Sequence, residues 1–131
     1  MASVVVERPG MPVKRFEDFV CWQLSHELKC EVYAFTDALP AGRDRNFCDD
    51  IRASSRSAPS NIAEGFGRET HREFAQFLAV ARGSLIETDN HLQDGLDCGY
   101  LPPVEHQRRR DADEASLDRH DAPAVLSVSH A

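Results

Sequence analysis

Few pairs of residues in this sequence have the types and the spacing that catalysis or metal binding requires. His26 and Cys30 are four residues apart, so on a helix both would present ligand atoms to one face. No second pair of histidine or cysteine ligands follows at metal-site spacing. We therefore interpret His26 as structural, and we keep a metal or small-ligand site, with a polar pocket near Asn61 and Glu64, as a secondary hypothesis.

Residue patterns of the familiar enzyme classes are also missing. No histidine in the chain follows an acidic residue by three positions, which argues against the paired Glu-x-x-His sites of di-iron bundles. Gly65-Phe66-Gly67 lacks the third glycine of a dinucleotide-binding loop, and neither a Gly-x-Ser-x-Gly elbow nor a P-loop occurs. We nominate no catalytic, cofactor-binding or metal-binding residue, and we expect a protein that is not an enzyme and holds no cofactor.

Arginines in the middle of the chain indicate a different chemistry, the binding of a polyanion. The net charge of −7 argues against a protein that coats nucleic acid nonspecifically, because such affinity comes mainly from Lys and Arg displacing counterions. Within residues 43–82, however, arginines are dense enough to predict a local cationic face. They are Arg43, Arg45, Arg52, Arg56, Arg68, Arg72 and Arg82. The alternative is that they pair with neighbouring carboxylates on a solvated surface.

The cysteines and the hydropathy pattern bear on the compartment. The four cysteines show neither the close pairs of a zinc site nor the density of a secreted disulfide scaffold, so we interpret them as reduced thiols. The start of the chain does not resemble a signal peptide. No segment approaches the run of about 18 apolar residues that a membrane span needs. We expect a cytoplasmic protein without a membrane partner.

The elements that would position these residues are helices. Apolar residues recur at steps of three, four and seven from Phe16 onward, which is typical of helices and not of strands. The predicted helices cover residues 16–39, 45–65, 70–98 and, for a short fourth helix, 104–119. We place them in one domain, residues 16–119, with a flexible leader at 1–15 and a disordered tail at 120–131.

Glycines and capping residues set the expected ends of these helices. Thr70 followed by Glu73 predicts a capping box at the start of the third helix. Gly65 and Gly67 are predicted to end the second helix, because glycine adopts left-handed backbone angles without steric penalty. Gly83 lies inside the third helix, where it predicts that another backbone comes close.

The second half of the second helix is predicted to pack tightly. Pro59 removes one backbone hydrogen bond there, and small polar side chains surround it. These are Ser54, Ser55, Ser57 and Ser60. They can satisfy freed backbone groups or let neighbouring helices approach closely. Asn61 and Glu64 lie three apart on one face of the same helix, and we interpret them as capping or bridging residues.

Several blocks of sequence between Phe16 and Leu101 match one known family in order. They read F-E-D-F-V-C-W-Q-L-S from Phe16, Leu39-Pro40, S-A-P-S-N-I-A-E-G-F-G-R from Ser57, E-F-A-Q-F-L from Glu73 and A-R-G-S-L-I-E-T from Ala81. Together they resemble the four-helix bundle protein family. Its first described members are encoded in intervening sequences of bacterial 23S ribosomal RNA genes, and the family is also labelled S23 ribosomal protein.

The resemblance implies an all-α fold, an antiparallel up-and-down four-helix bundle with long helices 1–3, that assembles with copies of itself into a homopentameric ring. It implies kinship with the accessory protein of diversity-generating retroelements, which engages a reverse transcriptase and nucleic acid, and it carries no enzymatic activity. The matched signature positions imply structural or assembly roles. They are Trp22, Pro59, Asn61, Ile62, Ala63, Glu64, Gly65, Phe74, Leu78, Gly83, Ser84, Leu85 and Glu87.

The sequence departs from the family pattern in two places. Asp44, Asn46-Phe47 and Asp50 stand where the family has a glutamate, a Gly-Leu pair and a glutamine. The apolar fourth helix is missing from its usual position. Either this chain has a short or degenerate fourth helix, or its coding frame shifts after Tyr100.

The leading functional hypothesis is a non-enzymatic, oligomeric helical scaffold. Its arginine-bearing face would make it an adaptor for RNA, DNA or a nucleic-acid enzyme in a ribonucleoprotein. One alternative is a protein–protein interaction module without nucleic acid, which the net charge of −7 favours. The other is the small-ligand or metal-binding bundle built on His26 and Cys30.

Overall fold

The computed structural model describes residues 13–101, and within them every regular element is helical. The three α-helices are α1 (Val20–Asp37), α2 (Arg45–Phe66) and α3 (His71–Asp97), with 3₁₀ turns at Phe16–Asp18 and Ala41–Arg43. The predicted all-α class is confirmed for this part of the chain. The predicted fourth helix at 104–119 and the tail at 120–131 lie outside the described residues, as do residues 1–12 of the predicted leader.

Helix α2 is the central element and packs along both α1 and α3. Its apolar side chains enter a core shared by all three helices, where Val32, Ile51, Ile62 and Leu92 are fully buried. Burying one such side chain stabilises a fold by roughly 1.5–3 kcal/mol relative to leaving it exposed. The helical stripes in the sequence therefore form the core that their spacing predicts.

Aromatic side chains close both ends of this core. At one end the ring of Phe19 lies 5.3 Å from that of Phe66 and 5.5 Å from that of Phe74. Phe19 directly precedes α1, Phe66 ends α2 and Phe74 lies near the start of α3, so this aromatic cluster joins the ends of all three helices. At the other end the ring of Phe47 lies 5.1 Å from that of Tyr100.

Side chains cap the amino ends of α2 and α3. Asp44 accepts a hydrogen bond from the backbone N–H of Phe47 at 3.1 Å, and its second oxygen accepts one from the Tyr100 hydroxyl at 2.6 Å. Thr70 accepts one from the backbone N–H of Glu73 at 3.1 Å, which is the threonine half of the predicted capping box. Each cap satisfies a backbone donor that has no partner within its helix.

Helix α2 does end at Gly67, its C-cap residue, as predicted, but the left-handed backbone angles predicted for Gly65 and Gly67 are not found. Helix α2 continues through Gly65 to Phe66, and Gly67 has a right-handed φ of −81°. Gly65 is buried, and a Cβ atom there would lie 2.7 Å from Cβ of Phe77 and 2.8 Å from Cδ1 of Phe74. Its role is to let α3 approach α2, because any side chain would occupy the space that these phenylalanines fill.

The close approach predicted at Gly83 is not made by any residue that the structure describes. A Cβ atom at Gly83 would have no described neighbour within 4 Å, and the residue is exposed. The first predicted helix also differs from the prediction, since residues 16–39 divide into the 3₁₀ turn at Phe16–Asp18 and α1, with the extended residue Phe19 between them. The third helix keeps its predicted extent to within one residue at either end.

Candidate functional site

Arg52 joins α1 to α2. Its Nε donates a hydrogen bond to Thr36 Oγ1 at 2.7 Å, and its Nη2 forms an ion pair of 2.6 Å with Asp37. Its guanidinium also lies 5.0 Å from the ring centroid of Tyr33, a geometry that favours cation–π attraction. This arginine therefore contacts three side chains within about one turn of α1, and its own side chain is only partly open to solvent.

Two further cations gather around the same tyrosine. The ammonium of Lys29 lies 5.9 Å from the ring centroid of Tyr33, and Nη1 of Arg56 lies 3.1 Å from its hydroxyl oxygen. Arg45 precedes Arg52 by seven residues, so it lies two turns away on the same stripe of α2. We call Lys29, Tyr33, Arg45, Arg52 and Arg56 the cationic seam.

The cationic seam has a positive net charge. Asp37 is its one acidic neighbour among the described ion pairs, and that carboxylate is 78% exposed, so water screens much of the pairing. Within residues 13–101, Lys29, Arg45 and Arg56 form no ion pair. Cations left without acidic partners beside an aromatic ring are suited to contact a phosphate and a base together.

The remaining arginines of the predicted cationic face lie elsewhere. Arg68 forms an ion pair of 2.7 Å with Glu64, and its guanidinium lies 4.8 Å from the ring centroid of Phe77. Arg72 and Arg82 are exposed on α3, and Arg43 lies in the turn before α2. The structure therefore brings Arg52 and Arg56 together at Tyr33, with Arg45 two turns from Arg52 on the same stripe of α2. Among the described contacts of Tyr33, none is with Arg68, Arg72 or Arg82.

The signature residue Asn61 belongs to a polar ladder between α2 and α3. Its Nδ2 donates hydrogen bonds to the backbone oxygen of Ser57 at 2.8 Å and to the Ser57 hydroxyl at 3.0 Å. The hydroxyl of Ser57 lies 2.8 Å from that of Ser84, and the hydroxyl of Ser54 lies 2.8 Å from that of Thr88. Small hydroxyl side chains thus pair across the interface, as the serine-rich sequence predicts.

The other signature positions divide between core and surface. Pro59, Ile62, Phe74, Leu78 and Leu85 are buried. Ala63 is half-buried, whereas Glu64, Gly83 and Glu87 are exposed. Trp22 is half-buried and stacks on His26 with ring centroids 4.6 Å apart. Most of the signature therefore lies in the packing between helices, and a smaller part lies on the outer surface of α3.

The residues of the predicted metal or ligand site do not converge. His26 Nε2 lies 3.7 Å from Cys30 Sγ on α1, and residues 13–101 hold no group of three side chains that could bind a metal ion. Asn61 and Glu64 lie on α2, where Asn61 contacts Ser57 and Glu64 pairs with Arg68 as described above. The free state of all four cysteines agrees with the predicted reduced thiols.

Two members of the cationic seam, Lys29 and Tyr33, were not predicted from the sequence. Their spacing of four residues places a cation and an aromatic ring on one face of a helix, and that pattern is visible in the sequence. The spacing does not show how α1 is rotated about its axis, and this rotation turns Tyr33 toward Arg52 and Arg56. The pairing across two helices appears only in the folded structure.

Comparison with known proteins completes the description of the chain. The family model described as 23S rRNA-intervening sequence protein matches residues 17–116, which is most of the chain. No curated protein matches the sequence. Within the described residues, none of the helices is at once long enough and apolar enough to cross a bilayer.

Proposed function

Because the chain belongs to the 23S rRNA-intervening sequence protein family, which confirms the resemblance, we propose that it is a non-enzymatic, oligomeric helical scaffold. In this proposal the cationic seam binds RNA or DNA, alone or as part of a ribonucleoprotein. The five-membered ring that the resemblance implies would present several copies of the seam to one partner. Repetition of a weak site raises overall affinity without any new contact.

The observation that carries the proposal is the gathering of Lys29, Arg52 and Arg56 around Tyr33. Cations at such a site release counterions from a phosphate backbone, which supplies most of the affinity for nucleic acid. An aromatic ring supplies a stacking surface that accepts any base. Cations beside an aromatic ring therefore form a surface that fits a polyanion with unpaired bases.

The local charge of the seam outweighs the acidic character of the whole chain. Exposed charges separated by more than about 10 Å are largely screened at 0.1 M salt, so distant carboxylates affect a bound phosphate only weakly. Arg56 and Lys29 are anchored to Tyr33 already, which lowers the entropy lost when they bind a ligand. Preorganised cations are therefore the feature that favours binding despite the net charge of −7.

The test is a titration of a fluorescent hairpin RNA and a single-stranded DNA, followed by anisotropy at several salt concentrations. We expect a dissociation constant below about 10 µM at low salt. Arg56→Gln should weaken binding and lower the salt slope by about 1, as expected for the loss of one phosphate contact. Arg82→Gln removes the same charge from exposed α3 and serves as the matched control.

Two results would count against the nucleic-acid part of the proposal. One is the absence of binding below about 10 µM at low salt, where even nonspecific binders are detected. The other is an equal effect of Arg56→Gln and Arg82→Gln, which would mean that the seam is not the binding surface. In the first case the protein–protein interaction module without nucleic acid becomes the better description. In the second case nucleic acid binds to a surface other than the cationic seam.

A further inference from the structure

The outer surface of α3 carries a symmetric pattern of side chains centred on Gly83. All of its members are exposed, and on a helix of 3.6 residues per turn they point within about 60° of the direction of Gly83. They are Arg72, Gln76, Val80, Gly83, Ile86, Asn90 and Asp94. We call this set the palindromic face. Ala79 and Glu87, four residues before and after Gly83, are exposed on the same side of α3 and are the pair that does not match.

The inner members of the palindromic face are apolar and amide side chains at equal distances from Gly83. Val80 and Ile86 lie three residues before and after it, and they are 53% and 55% exposed, unusually open for large apolar residues in this chain. Gln76 and Asn90 lie seven residues before and after it. A two-fold axis through Gly83 would therefore place like beside like at these positions, and it would set Glu87 opposite Ala79 of the second copy.

The outer members of the face are opposite charges, again at equal distances from Gly83. Arg72 lies eleven residues before it and Asp94 eleven residues after it. Arg72 forms no ion pair with any described residue, and the recorded contact of Asp94 is with His91 at 4.0 Å. The face thus ends in two complementary charges that form few contacts with the described residues.

Both charges are placed against the dipole of their own helix. Arg72 lies in the first turn of α3, where the helix carries partial positive charge, and Asp94 lies in the last turn, where the charge is partly negative. A second α3 running antiparallel reverses both relations. It brings a carboxylate to the amino end and a guanidinium to the carboxyl end, so the pairing is favoured by charge twice over.

Gly83 gives the centre of the face the shape that a close helix pair needs. The space where its Cβ would lie is open for 4 Å, and packed helices have axes about 8–10 Å apart. A glycine at the crossing point lets two backbones meet while Val80 and Ile86 interlock on either side. The close backbone approach that the sequence predicts at Gly83 then occurs between chains.

We propose that two copies of this chain pair through their palindromic faces, antiparallel and with a two-fold axis at Gly83. Val80 packs against Ile86 of the second copy, and Arg72 pairs with Asp94 of the second copy, each contact occurring twice. This contact deepens the oligomeric part of the proposed function and rests on it. An isologous contact closes on itself, so it forms a dimer of single chains or joins two rings face to face.

Charge reversal tests both the surface and its direction. Arg72→Glu sets two carboxylates opposite each other at both ends of the pair, and Asp94→Arg sets two guanidinium groups there. Each should weaken self-association roughly tenfold in sedimentation equilibrium at low salt. The double variant Arg72→Glu/Asp94→Arg restores opposite charges and should return to within about threefold of the natural chain. Arg82→Glu, off the face, is the control.

Cross-linking tests the position of the axis. In a background with Cys30→Ser and Cys98→Ser, which removes the exposed thiols, Gly83→Cys places two thiols at the crossing point. Oxidised glutathione should then convert most of the protein to a disulfide-linked dimer, because Cα atoms about 5.5–6 Å apart fit a disulfide. Gln93→Cys, exposed on the side of α3, should remain uncross-linked and is the control.

Three outcomes would overturn this contact. The first is that the natural chain stays monomeric at about 100 µM, a weak limit for any specific assembly. The second is that the double variant Arg72→Glu/Asp94→Arg self-associates as weakly as the single variants. The third is that Gly83→Cys fails to cross-link. A protein that passes these tests but binds no nucleic acid leaves the contact intact and removes the function of the cationic seam. Circular dichroism of each variant confirms that a loss of association is not a loss of folding.

Discussion

The two faces of α2 hold their neighbours in different ways. Toward α3 the side chains are small, and the contacts are buried: the hydroxyls of Ser54 and Thr88 lie 2.8 Å apart, and Gly65 leaves room for phenylalanine. Toward α1 the outer contacts are made by long side chains that are partly exposed. Arg52, for example, contacts Thr36 and Asp37. The α2–α3 interface is therefore held by close packing of small residues. The outer part of the α1–α2 interface is held by side chains that water can reach.

This difference separates the structural interface from the one available to a ligand. The α2–α3 contacts exclude water, so no solute can exchange with them without opening the helices. The contacts of Arg52 and Arg56 with α1 lie at the surface, where a phosphate can compete for the same donors. We expect substitutions at the first interface to change stability strongly, and substitutions at the second to change stability little and binding more.

The largest expected effect is at Gly65. Gly65→Ala adds a methyl group within 3 Å of the side chains of Phe77 and Phe74, and such overpacking typically costs about 1–3 kcal/mol. The higher helix propensity of alanine, worth up to about 1 kcal/mol, offsets only part of this. Urea denaturation of dilute protein should show the loss.

Gly83→Ala is the matched control for Gly65, because it makes the same change inside a helix where no described atom lies within 4 Å. It should raise the free energy of unfolding of the dilute protein by up to about 1 kcal/mol. If both variants shift the urea midpoint in the same direction, the close approach of α2 and α3 at Gly65 is not what limits that position.

The next effect is at the buried hydroxyl of Thr88. Thr88→Val keeps the shape of the side chain but removes the oxygen that lies 2.8 Å from both the Ser54 hydroxyl and the Ser84 backbone oxygen. The loss should be about 1 kcal/mol, the usual net value of such a hydrogen bond. Ser60→Ala, on the exposed side of α2, should have no measurable effect, and equal stability of Thr88→Val would contradict the role of the polar ladder.

A smaller effect is expected at the bridge between α1 and α2. Arg52→Lys keeps the charge but cannot donate to Thr36 and Asp37 with one planar fork, so the free energy of unfolding should fall by roughly 0.5–1 kcal/mol. Arg56→Lys, which alters an exposed contact to Tyr33, should stay within about 0.5 kcal/mol of the natural chain. If Arg52→Lys lowered the free energy of unfolding as much as Gly65→Ala does, the α1–α2 and α2–α3 interfaces would not differ in the way described above.

The smallest effect is a pH dependence of stability at the end of the α2–α3 pair where Tyr100 contacts Asp44. The hydrogen bond to Asp44 raises the pKa of Tyr100 from 10.0 to about 12. An unfolded chain therefore loses this proton first, and stability falls as the pH rises from 10 toward 12. Thermal unfolding at increasing pH should show the fall. In Tyr100→Phe this component should be absent, and an unchanged alkaline profile would rule out the contact.

The same hydrogen bond acts in the opposite direction at low pH. Donation from Tyr100, together with the backbone N–H of Phe47, lowers the pKa of Asp44 below its ordinary value of 3.8. A lowered pKa contributes stability above the unfolded value, and that stability is lost as the pH falls through the lowered pKa. Asp44→Asn should therefore reduce the acid dependence of thermal unfolding.

The extent of α2 and α3 could be predicted from the sequence because their apolar residues repeat at helical spacing over many turns. Such a stripe can be seen in the sequence of one helix, without knowing which helices pack against it. Gly65 could not be interpreted in the same way. A glycine near the end of a helical stripe usually marks its end, and only the position of Phe77 on α3 shows that it serves close packing.

The candidate site was predictable only in part for a similar reason. The density of arginines is visible in the sequence, but Arg52 and Arg68 turn out to be engaged with Asp37 and Glu64. Which cations remain without an acidic partner depends on how α1 and α2 are rotated against each other. That rotation is set by the core, so it follows from many small contacts and from no single motif.

Cys48 lies beneath the turn that links α1 to α2, and its thiol donates to the backbone oxygen of Ala41 at 3.2 Å. Burial raises the pKa of this thiol, so it stays protonated and unreactive toward alkylating reagents. Cys30 and Cys98 are exposed and react at once. The rate at which Cys48 is alkylated therefore measures how often the turn between α1 and α2 opens, and no attached dye is needed.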